Sequence, residues 1–140
     1  MKNIAKHLRD ISPKWVIDGI LDIKTCEQKT DDYSQRRIGT MVEPYVFGPY
    51  VSGIGDSAIF TYRYNDESDD RDTYRASCMV TSYVDEIHVS LDEENKCVVL
   101  SIFTQNTIYI LHADIDISGT NVAVIDDVIQ KINKELEGKE

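Results

Sequence analysis

The stretch VDEIHVSLDEENKCVVLSIFTQNTIYILHAD, residues 84–114, decides the fold. It contains three apolar runs, Val84 to Leu91, Cys97 to Thr104 and Thr107 to Asp114, each of strand length and rich in Val, Ile and Thr. The connectors Asp92-Glu93-Glu94-Asn95-Lys96 and Gln105-Asn106 are polar and short, so the three runs form an antiparallel meander. The simplest register opposes Leu91 to Cys97 and Thr104 to Thr107. One face then carries Ile87, Val89, Leu91, Val99, Phe103, Ile108 and Ile110, and the other Val98, Leu100, Ile102, Tyr109 and Leu111. The central run is apolar on both sides.

Downstream of Ser118-Gly119-Thr120, residues Val122, Ile125, Val128, Ile129, Ile132 and Leu136 recur at helical spacing, with Thr120 placed to cap. This predicts an amphipathic C-terminal helix covering one sheet face. The other apolar face needs its own cover from the N-terminal strands, a second copy or a ligand.

Working upstream, Tyr74 to Tyr83 reads as a strand, and so does Ala58 to Tyr64. The acidic Asn65–Asp72 run between them reads as a solvated hairpin tip. Gly48, Pro49, Gly53 and Gly55 punctuate a loop, and Arg36 to Phe47 forms a further strand that Pro44 marks as an edge or a bulge. Residues 25–35 make a polar connection. Trp15 to Lys24 alternates, with Trp15, Ile17, Gly19, Leu21 and Ile23 on one face, and Ile4, His7, Leu8 and Ile11 mark a short helix that Pro13 ends. The expected fold is α+β: one domain over residues 1–140, an antiparallel sheet of about five to six strands, a short N-terminal helix and the C-terminal helix on one face.

Composition narrows function. The 140 residues are 41% hydrophobic and 29% charged, as expected of a globular chain, with a formal charge of -10 that repels duplex nucleic acid and anionic membranes. No run approaches the ~20 apolar residues of a membrane helix, and the first residues lack the apolar stretch of an export signal. Cys26, Cys78 and Cys97 are odd in number and lack CxxC spacing, which fits reduced thiols in a cytoplasm.

Catalytic and metal motifs are missing where they would be expected. In the simple register His88 opposes Leu100, which opposes Leu111, so His88 and His112 leave opposite faces and do not share a metal with His7, Asp85 or Asp114. Cys78 and Cys97 sit in apolar strand patterns suited to inert thiols. Ser52, Ser57 and Ser82 lack a nucleophile-elbow context, Gly53-Ile54-Gly55-Asp56 lacks a phosphate-loop pattern, and residues 66–72 lack the order of a calcium loop. No enzyme, cofactor or metal is expected.

Two sets of residues point to binding. Asp66, Glu67, Asp69, Asp70 and Asp72, with Asp92, Glu93 and Glu94 in a second turn, form an anionic surface suited to a basic protein. Arg36, Arg37, Arg63 and Arg75 with Tyr45, Tyr50, Tyr62 and Tyr74 offer guanidinium forks and stacking rings to a small nucleotide. The first set leads to the main expectation, a non-enzymatic inhibitor of immunity type that neutralises a basic partner such as a nuclease toxin. The second leads to the alternative, a nucleotide-sequestering homodimer joined through the second sheet face. A third reading is an acidic chaperone or assembly adaptor that exposes that face.

Overall fold

The computed structural model describes residues 4–12, 14–46, 57–62, 78–115 and 121–136. In chain order they form α1 (Ile4–Ile11), β1 (Trp15–Asp22), α2 (Asp32–Arg37), β2 (Met41–Val46), β3 (Ser57–Tyr62), β4 (Cys78–Asp92), β5 (Cys97–Thr104), β6 (Thr107–Asp114) and α3 (Asn121–Leu136). The fold is α+β, as the periodicities predict. Each strand pairs antiparallel with the next, and β6 returns to β1, so the sheet closes into a barrel. The N-terminal strands therefore extend the same sheet instead of covering its second face.

The barrel encloses the core. Inward side chains from the strands, among them Ile17, Val98, Leu100, Ile102 and Leu111, share one apolar cluster with Ile4 and Leu8 of α1 and Ile125, Ile129 and Ile132 of α3. The two helices pack on each other, α1 also against β2 and α3 against β4. His7 joins them through a 2.6 Å contact from Nε2 to Glu135 Oε2, with both side chains largely buried. Trp15 anchors α1 to β1: its ring is buried, and Nε1 donates to the carbonyls of Leu8 (3.3 Å) and Ser12 (2.9 Å). The indole thus removes apolar area from water without stranding its donor.

A bulge at Asp18 corrects the expected alternation of β1. Beyond it the faces exchange, so Trp15, Ile17 and Ile20 are buried while Val16 and Leu21 are only half-buried. The strand ends at Asp22, whose Oδ1 accepts from the N–H groups of Lys24 and Thr25 and so starts a turn. Gln28 then lies beside the strand and acts as a surrogate peptide group. Its Oε1 accepts from Ile20 N–H and its Nε2 donates to the Ile20 carbonyl.

Arg36 and Arg37 lie on α2 and not on a strand, which corrects the second expectation. Asp31 caps this helix, accepting from Ser34 N–H and Ser34 Oγ. Gly39, at φ 86°, turns the chain into β2, and the register shift between Pro44 and Val46 is the bulge that proline required. The strands expected at Tyr74–Tyr83 and Val84–Leu91 are continuous where the structure describes them, residues 74–77 lying outside the described residues. From Cys78 onward these are one strand of 15 residues, bent by a register shift between Val84 and Glu86.

The β4–β5 register differs by one residue from the simple reading. Asp92 opposes Cys97 and Leu91 opposes Val98. The cause is local: Asp92 accepts from Asn95 N–H (3.1 Å) and Asn95 Nδ2 (2.8 Å), and Lys96 takes a φ of 56°. The side chain of Asp92 thereby organises a turn of Glu93–Lys96 while its backbone stays in the strand. Because strand side chains alternate, one residue of slip moves Ile87 and Val89 inward, opposite Ile102 and Leu100. The β5–β6 register is as expected, with Phe103 opposite Ile108 and Leu100 opposite Leu111. No helix among the described residues is long and apolar enough to cross a membrane.

Candidate functional site

The register correction also moves the histidines. His88 opposes Ser101, and His112 opposes Val99, so both project from the outer face of the barrel and not from opposite faces. Each meets a carboxylate there. His88 Nε2 lies 2.6 Å from Glu86 Oε2. His112 Nδ1 lies 2.8 and 2.7 Å from the two carboxylate oxygens of Asp18, which the β1 bulge turns outward. The other ring nitrogen of His112 is 3.5 Å from Asp114 Oδ1. Among the described residues no set of three or more His, Cys, Asp or Glu side chains is placed to hold a metal ion.

The acidic β4–β5 turn stands at the same end. Glu93 and Glu94 are exposed, and Asp92 closes the turn beneath them. Asp114 opposes Cys97, the next residue after the turn, and Ile115 N–H donates to the Lys96 carbonyl at 3.0 Å, holding the end of β6 against it. Three elements therefore converge around the buried Cys97. Burial pushes its thiol up from the ordinary range, and the fields of Asp92, Asp114 and Asp18 push it further. A nucleophilic cysteine needs the opposite environment, cations that favour the thiolate. Asp92 itself is held below the usual carboxylate range by the Asn95 side chain and N–H.

The site residues named from sequence divide sharply. Asp66, Glu67, Asp69, Asp70, Asp72, Tyr50, Arg63, Tyr74 and Arg75 lie outside the described residues. Tyr62 ends β3 with its backbone opposite Val42. Asp92, Glu93 and Glu94 stand together on the turn. Arg36 faces Asp32 at 3.6 Å on α2. Arg37 stacks over the Tyr33 ring at 3.5 Å and donates to the Tyr33 carbonyl. Asp18, Glu86 and His112 carry no partner-binding motif in the sequence, and their placement turns on two faint signals: Gly19 inside the strand pattern, which hints at the β1 bulge, and Asp92 followed three residues later by Asn95, which hints at the turn that sets the register.

Compared with protein-family models, curated proteins and solved structures, the chain matches none. The class defined here is thus one of architecture: an α+β chain with a closed, six-stranded antiparallel barrel and a carboxylate-rich end.

Proposed function

We propose that the protein is a non-enzymatic acidic inhibitor of immunity type, which neutralises a basic protein partner by covering it. The observation that carries this reading is the convergence of Asp92, Asp114 and Asp18 around Cys97, beneath the exposed Glu93 and Glu94. Carboxylates from a turn and two strands at one end give a directional field, which a net charge of -10 spread evenly would not. Such a field speeds encounter with a cationic surface and fixes its orientation. The acidic run Asp66, Glu67, Asp69, Asp70 and Asp72 belongs to the same reading as a second anionic element.

The test is charge neutralisation in two blocks. Replacing Asp92, Glu93 and Glu94 by their amides is expected to weaken binding of a cationic protein and slow its association. Replacing Asp66, Glu67, Asp69, Asp70 and Asp72 together is expected to do the same. Unchanged affinity in both blocks would make the carboxylates solvent decoration. The nucleotide-binding alternative has less support, since Arg36 and Arg37 are engaged by Asp32 and Tyr33 within α2. It requires a nucleotide-dependent rise in melting temperature that Arg63→Ala or Arg75→Ala removes.

A further inference from the structure

Among the described residues every strand of the closed circuit pairs with a neighbour on each side, which favours docking on a face over addition of a strand. Its inner face is filled by the core. The outer face of β1, β6, β5 and β4 is different. Val16, Leu21, Val99, Phe103 and Ile110 project there and are only half-buried. Solvent reaches this face: the side chains of Glu86 and His88 are each 60% exposed, and those of Asp18 and His112 are 41% and 28% exposed. His88 stands edge-on to Phe103, with ring centroids 5.4 Å apart, which aligns an aromatic pair with the apolar strip.

An apolar centre bounded by charge is the anatomy of a protein-binding surface. The sign of that boundary selects the occupant. Asp18, Glu86 and Asp114 border the strip, and the acidic turn Asp92-Glu93-Glu94 continues it at one end. A second copy would present a surface of the same sign to these, and like charges across an interface oppose association. A basic surface meets them with opposite sign. We propose that this outer face is the docking surface for the apolar centre of a basic protein partner, with Asp18, Glu86 and Asp114 meeting its cationic rim. The inference rests on the inhibitor reading and adds to it the apolar contact that charge alone does not supply.

Two short synthetic peptides of equal charge test it, one alternating Lys and Leu and the other Lys and Ser, titrated against the full chain at low salt. The Lys/Leu peptide is expected to bind about tenfold more tightly, a gain of ~1.4 kcal/mol. Val99→Thr combined with Ile110→Thr, both on the outer face and both compatible with a strand, should close that gap while leaving Lys/Ser binding unchanged. Ser101→Arg, which opposes Ile110, is a second variant that spares the apolar residues and should weaken the Lys/Leu peptide most. A gap that survives in both variants, or no gap at all, overturns the assignment of this face but not the inhibitor reading. Binding of neither peptide overturns both. A native dimer in sedimentation that Val99→Thr with Ile110→Thr dissolves would assign the face to a second copy and also overturn the proposal.

Discussion

Cys97 and Cys26 show how position sets the chemistry of one side-chain type. Cys26 is exposed in the turn after β1, at φ 61°, while Cys97 is buried among carboxylates that oppose its ionisation. Alkylation mapped by mass spectrometry should therefore mark Cys26 first and Cys97 only on unfolding. Early labelling of Cys97 would contradict the packing at the turn. The carboxylates give a pH signature. Asp22, Asp31 and Asp92 accept hydrogen bonds that hold their pKa values below the ordinary range: from the N–H groups of Lys24 and Thr25, from Ser34, and from Asn95. A carboxyl whose pKa is lower folded than unfolded adds stability above about pH 3.9, and that stability is lost as pH falls through the folded value. Asp92→Ala should thus be less stable than the native chain near neutrality, and the difference in urea midpoint should narrow progressively below about pH 4. A difference constant with pH would mean that the charge of Asp92 does not act.

Single residues also decide whole elements. Gly39 has a φ of 86°, and a Cβ there would meet no atom within 4 Å, so backbone strain alone resists replacement. Gly39→Ala is expected to cost roughly 1–2 kcal/mol, read from denaturant midpoints, even though it creates no clash. The meander β4–β6, α1, α3 and the bulge at Pro44 were legible because apolar period and proline chemistry act locally. The bulge at Asp18, helix α2 and the β4–β5 register were not, because each depends on a side-chain hydrogen bond or a pairing that periodicity does not encode. Asp31 capping α2 and Asp92 closing its turn are such cases. The register mattered most for the site, since one residue of slip placed His88 with His112 on the outer face and Ile87 and Val89 in the core.

At the scale of the molecule, helices and barrel share one core, so they should unfold together. Leu100 lies in β5 and Leu8 in α1, and both are fully buried in the same cluster. Leu100→Ala and Leu8→Ala should each cost roughly 2–5 kcal/mol in a single urea transition with unchanged slope. A separate early transition for Leu8→Ala would show α1 to be an independent unit. The outer face and the acidic end are what this core holds in place, and they carry the functional claim. Its most direct test is the affinity for a cationic protein, measured as salt rises from about 0.01 M to about 1 M and the Debye length falls from about 30 to about 3 Å. Binding should weaken steeply for the native chain, and from a weaker start and more gently when Asp92, Glu93 and Glu94 are amides. Binding that ignores salt and is equal in the two proteins would contradict an acidic inhibitor.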